Sequence, residues 1–190
     1  MPEAVGLAYQ IYQPIYDTVQ LTAASNQTVT FFSVPLNGII AGTTKKHRGH
    51  TNMVQTGMLE KGVSITVNAI TMAVRELAEG GARPTFVDIQ AIAGGWIEIK
   101  IGDQNFGYYP RGYLGSGNAE LMYFSNITAA ATEYHANQGV SACQNRLWLE
   151  NSIKITEQES IAVYFTVPGT IAAVTDVQLA LWGTMTRPVR

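Results

Sequence analysis

Residues 152–188 constrain the fold more than any other part of the chain, because they read as three β-segments separated by turn residues. Residues 152–156 are followed by Glu157-Gln158-Glu159, residues 160–167 by Pro168-Gly169, and residues 174–185 close the series. In the last segment Val177, Leu179, Leu181 and Gly183 fall on one face and Gln178, Ala180, Trp182 and Thr184 on the other, which is the two-residue period of a sheet strand. The chain therefore reads as a β scaffold first, and it carries no chemical motif of comparable clarity.

The rest of the chain repeats this texture. Residues 18–22 and 28–34 are enriched in Val, Thr and Phe, and Ala24-Ser25-Asn26-Gln27 between them is hairpin-like. Pro35 and Asn37-Gly38 close the second of these. Residues 57–60 and 63–74 follow a polar loop at 41–53, with Val63, Ile65, Val67 and Ala69 on one face. After Arg83-Pro84-Thr85 the rhythm changes: Phe86, Ile89, Ile92 and Ala93 recur at helical spacing, and Gly94-Gly95 can end a short helix. Residues 96–101 alternate again and turn through Gly102-Asp103-Gln104-Asn105 toward 106–109. Residues 110–120 read as loop, 121–128 as a strand, 129–137 as helix or loop, and 140–150 as a further strand.

Residues 1–16 hold Tyr9, Tyr12 and Tyr16 among Gln10, Gln13 and Pro14 and read as an N-terminal arm. Such a segment lies either across a neighbouring molecule or over its own sheet. The domain proper is then 17–190, all-β with one or two short helices and about eight to ten strands in the usual size range of one domain.

Charged residues are 14% of the chain, below the ~25% of ordinary soluble domains, so part of the surface is expected to be covered by other copies or partners. A net charge of −2 argues against wide electrostatic capture of nucleic acid or anionic membrane. Cys143 is the single cysteine and reads as a buried small hydrophobe. The start at Met1-Pro2-Glu3-Ala4 has no secretory signature, and no apolar run approaches a membrane span. These features point to synthesis in a cytoplasm.

Potential chemistry is sparse. His47-Arg48-Gly49-His50 supplies two ligands where zinc wants three or four, with His135 far away in sequence, and a solvated loop is the plainer reading. Lys45, Lys46 and Arg48 place three positive charges within four residues, suited to phosphate, to an acidic neighbour, or simply to water. Glu157 and Glu159 sit in a turn, as does Asp103. Gly112-Tyr113-Leu114-Gly115-Ser116-Gly117 lacks the ending and spacing of nucleotide loops and of a nucleophile elbow. Asn26-Gln27-Thr28 and Asn126-Ile127-Thr128 match the glycosylation pattern by chance. Trp96, Trp148 and Trp182 lie in expected strands, where large aromatics fill a core or an interface more often than they stack on sugars. No catalytic, cofactor or metal residue is assigned.

Residues 160–168, Ser-Ile-Ala-Val-Tyr-Phe-Thr-Val-Pro, together with 177–183 and the ending Arg187-Pro188-Val189-Arg190, resemble the C-terminal strands of jelly-roll virion proteins of bacterial viruses. Residues 97–110 are similar in texture. The resemblance covers about a third of the chain. It implies a single jelly-roll β-sandwich of two facing antiparallel sheets that associates with its own copies and other virion proteins. The implied function is that of a capsid subunit, the alternatives being a decoration, penton or tail-associated subunit. From another class comes a carbohydrate-binding sandwich.

Overall fold

A computed structural model describes residues 8–41, 44–75, 85–114, 121–125, 133–137 and 146–188. Their elements in chain order are β1 (Ala8–Leu21), β2 (Ser25–Phe31), β3 (Ile39–Ala41), β4 (Thr44–Lys45), β5 (Ser64–Arg75), α1 (Phe86–Ala93), β6 (Trp96–Ile101), β7 (Gln104–Pro110), β8 (Leu121–Ser125), β9 (Glu133–Asn137), β10 (Leu147–Ile155), β11 (Ile161–Thr170) and β12 (Thr175–Pro188). Eight of these strands form two four-stranded sheets, β1-β12-β5-β10 and β2-β11-β6-β7, all antiparallel. Apart from the β6–β7 hairpin, successive strands of these eight cross from one sheet to the other, and the last strand returns beside the first. That wiring is a jelly roll.

Alternation buries one face of each strand. From the first sheet Ile15, Val19, Leu21, Ile65, Val67, Leu179, Leu181 and Met185 enter the core, and from the second Phe31, Ile97, Ile99, Ile101, Val163, Phe165 and Val167. Each such side chain stabilises the fold by roughly 1.5–3 kcal/mol relative to exposure.

β12 crosses β5 at a bulge: Trp182 faces Ala69 while Gly183 faces Val67, leaving Asn68 unpaired. A Cβ at Gly183 would stand 2.1 Å from the Thr66 carbonyl oxygen, so only glycine lets the two backbones approach so closely. Beyond the bulge the inward set of β5 changes from Ile65 and Val67 to Ile70 and Met72.

The helix forms where the rhythm changed. Thr85 caps it by accepting from the Asp88 backbone, and the Asp88 carboxylate accepts the Thr85 N–H at 2.7 Å. That carboxylate also accepts the Ala172 N–H at 2.6 Å, tying the helix to the β11–β12 connection. Burial alone would raise the Asp88 carboxyl, and the N–H groups of Ala172 and Thr85 outweigh it and hold the carboxyl below its ordinary value.

Four expectations change. Residues 18–22 and 28–34 do not form a hairpin: β1 pairs with β12 and β2 with β11, so Ala24 lies in a corner between sheets. Pro168-Gly169 does not end a strand. β11 runs through it with a register break between Val167 and Thr170, and the proline is tolerated there as at other bulges. Residues 57–60, expected as a strand, hold only the single bridge Gln55–Met58. Residues 133–137, left between helix and loop, form β9 against β8.

Of residues 1–16, those from Ala8 onward belong to β1 and pair with β12 along its whole length. Over its own sheet is therefore where residues 8–16 lie, while 1–7 fall outside the described residues. Cys143 and residues 115–117 of the glycine loop fall outside them as well.

Candidate functional site

The chemistry of the described residues concentrates along β1, the edge strand of the first sheet. On its inward side the series Ile15, Asp17, Val19, Leu21 places one carboxylate at a core position. Asp17 is fully buried and accepts two charge-assisted or backbone donors: Lys46 Nζ at 2.6 Å on Oδ1, and the Phe32 N–H at 2.6 Å on Oδ2. Phe32 takes a left-handed backbone, φ +64°, just beyond β2. This conformation is costly for a bulky residue, and the Asp17 contact holds its N–H inward. One carboxylate thus ties together β1, the end of β2 and the loop after β4. Burial raises the Asp17 carboxyl against the opposing pull of Lys46 and the Phe32 N–H.

This corrects the reading of the basic cluster. Lys46 is 2% exposed and ion-paired, so it contributes nothing to a phosphate-binding surface. Only Lys45 and Arg48 remain exposed, and the Arg48 carbonyl accepts the Tyr16 hydroxyl at 2.6 Å.

From Lys46 the chain wraps over the margin of β1. Thr18 Oγ1 donates to the His50 carbonyl, and Gln178 Nε2 donates to Thr18 Oγ1 and to the Gly49 carbonyl. The Asn52 side chain accepts the Tyr16 N–H at 2.9 Å and donates to the Pro14 carbonyl at 2.9 Å, while Thr51 Oγ1 donates to the Tyr16 carbonyl at 3.0 Å. Unpaired edge groups invite foreign strands. Here the loop satisfies them at Pro14 and Tyr16.

The two loop histidines do meet, with ring centroids 3.9 Å apart. Each Nδ1 is already occupied, since His50 accepts the His47 N–H and His47 accepts the Gly49 N–H. Among the described residues no third His, Cys, Asp or Glu joins them. His50 is buried, and that burial, helped by His47 and Lys46 and opposed by Asp176, holds it below its ordinary value.

Among the described residues no such cover reaches the outer half of β1. Tyr9, Ile11 and Tyr12 are exposed by 46%, 43% and 45%. Tyr12 stacks on Trp182 with centroids 6.3 Å apart, and the Arg146 guanidinium lies 3.7 Å over the other aromatic system of that pair, the Trp182 ring. Arg146 also donates to the Tyr12 hydroxyl, which donates to Asn68 Oδ1, and Trp182 Nε1 donates to Thr71 Oγ1. The three tryptophans all lie outside the core: Trp96 and Trp148 are exposed, and Trp182 is half-buried on the outward face.

The turn carboxylates satisfy local backbone. Glu157 accepts the Gly62 N–H, and Glu159 accepts the Thr156 N–H, which holds it below its ordinary value. At the opposite margin, Phe106, Tyr109, Leu147, Leu149 and Ile153 line an open cleft of about 360 Å³. Asp17 is the residue that sequence reasoning missed. The signal was a charge at an inward position of an alternating strand, which demands a partner.

No family model, curated protein or solved structure matches the chain. Among the described residues no helix is long and apolar enough to cross a membrane.

Proposed function

We propose that the protein is a virion structural subunit, a jelly-roll capsid protein of a bacterial virus that assembles with its own copies and other virion proteins in the host cytoplasm. The observation that carries this reading is the exposed apolar surface of a well-packed sandwich. Tyr9, Ile11, Tyr12, Val54, Met58, Trp96, Tyr108, Tyr113 and Trp148 face solvent on a chain only 14% charged. A monomer gains nothing from large exposed aromatics, whereas a subunit buries them against neighbours. The described polar groups serve to pin loops and cap turns, which supports assembly rather than catalysis. A contact with packaged nucleic acid would rest on Lys45 and Arg48 alone.

Electron microscopy and native mass measurement of the purified chain test this. Closed particles or symmetric rings are expected, and a strict monomer at high concentration under virion-like conditions would overturn it. A decoration, penton or tail-associated role is the outcome if the chain binds preformed particles without closing on itself. The exposed Trp148 and Tyr108 favour a second reading, a carbohydrate-binding sandwich, for which a glycan screen is the direct test.

A further inference from the structure

The free stretch of β1 has one property that selects its partner. Tyr16 turns both its N–H and its C=O to the outer edge, where Asn52 and Thr51 take them. By the two-residue period, Ala8, Gln10 and Tyr12 turn their groups the same way, and no described residue takes those. The odd residues Tyr9 and Ile11 face Arg187 and Met185 on β12 instead. The available edge is therefore short, bounded on the inner side by Pro14 and by the loop at 46–53. It holds no charge over residues 8–16, whereas β10 at the other edge of this sheet carries Glu150 and Lys154 and a register break. Edges that must stay alone are blunted with charge, proline or bulges. This one is blunted only where it is already covered.

We propose that a second copy of this chain pairs here, β1 antiparallel to β1 about a twofold axis at Gln10, joining the two first sheets into one of eight strands. The sequence is self-complementary in that register. Gln10 faces Gln10 of the second copy, Ala8 faces its Tyr12, and Tyr9 faces its Ile11 on the inward side, so each half supplies what the other lacks. About six ladder hydrogen bonds form. Antiparallel pairing also directs the second copy's Pro14 and covering loop past Ala8, away from the first copy's loop. On the inward side, an open hollow of about 320 Å³ beside Tyr9, lined also by Val63, Arg187 and Pro188, borders the Tyr9 and Ile11 pairs.

The contact is small. Three half-exposed side chains per copy cover well under the ~1,600 Å² of a standard interface, so the pair is weak alone and gains strength by repetition in a closed assembly. The inference names one contact of the assembly proposed above and is separable from it.

The test is cross-linking and sedimentation of the full chain. Gln10→Cys in a Cys143→Ser background brings the two Cα atoms to ~5.5 Å across a hydrogen-bonded pair, within disulfide range. Mild oxidation is expected to give a covalent dimer far faster than Lys154→Cys in the same background, a position on the opposite edge. Gln10→Pro removes the edge donor but no bond to β12, as Pro14 already does at the same parity, and is expected to weaken dimerisation at least about tenfold while the circular dichroism is kept. Equal cross-linking at the two positions overturns the pairing. So does unweakened dimerisation of folded Gln10→Pro. Intact particles from Gln10→Pro would overturn the pairing and leave the assembly reading standing. A parent that never associates, with no rapid Gln10→Cys cross-link, sinks both.

Discussion

Replacing Lys46 by Met should be among the most damaging single changes in the chain, although Lys46 sits in what the sequence presents as a polar surface loop. Met keeps most of the aliphatic stem, so packing loss is small and the effect isolates the charge. What remains is the Asp17 carboxylate, fully buried, with the Phe32 N–H as its nearest donor. Removing one partner of a buried pair costs about 3–5 kcal/mol, which for a chain of this size lowers Tm by roughly 6–20 °C. Exchanging both partners, Asp17→Leu with Lys46→Met, should recover much of the loss, because a buried pair and an apolar pair of similar volume are close in free energy. The recovery will be incomplete, since the Phe32 N–H then lacks an acceptor at about 1–3 kcal/mol.

The loss should also depend on pH, with a sign that separates it from a packing defect. In Lys46→Met the carboxyl is buried without its cation, so its folded value rises further above the 3.8 of the free group. Between 3.8 and that raised value the folded state holds a proton that the unfolded state has released, so the variant regains stability as pH falls through the window. Denaturant titration of parent, both single variants and the double variant at pH 7.5 and pH 5 measures all of this. A loss below ~1 kcal/mol at pH 7.5, or one that does not shrink at pH 5, refutes the account of Asp17 as a dry junction. Hydrogen exchange adds a local readout. The Tyr16 N–H, protected by Asn52 on the loop that Lys46 pins, should open in Lys46→Met.

Alternation within single segments carried most of the fold that the sequence made legible. β6 and β12 read correctly because Ile97, Ile99, Ile101 and Val177, Leu179, Leu181 each stripe one face, and α1 because helical spacing followed Pro84 and stopped at Gly94-Gly95. Strand partners were not legible, since β1 bonds to a strand more than 150 residues away in sequence, and no local pattern encodes that. The breaks inside strands were misjudged for a related reason. Pro168-Gly169 has turn composition, but Gly169 lies against Ala91 of the helix, so tertiary packing keeps the chain extended there. The site followed the same division. Clustered charges suggested a surface, and the structure takes Lys46 inside because Asp17, distant in sequence, waits at an inward position.

Two further changes probe the sheet and the loop. Gly183→Ala should cost about 1–3 kcal/mol, because its Cβ would meet the Thr66 carbonyl, which is backbone and has no rotamer to change; a neutral result by denaturation would show that the β5 bulge yields freely. The last concerns His50, whose neutral imidazole is buried over β1 beside His47 and Lys46, with Asp176 as the one opposing charge. Its folded value lies below the ordinary 6.5, so between the two the unfolded chain binds a proton that the folded chain does not. Stability from this group is therefore complete above about pH 6.5 and is lost as pH falls through the folded value. In His50→Gln that acid-side slope should flatten, whereas the parent should keep it at any salt concentration that leaves the loop closed. An unchanged slope in the variant would place the titrating group elsewhere and would mean that the loop over Tyr16 is held without regard to the charge on His50.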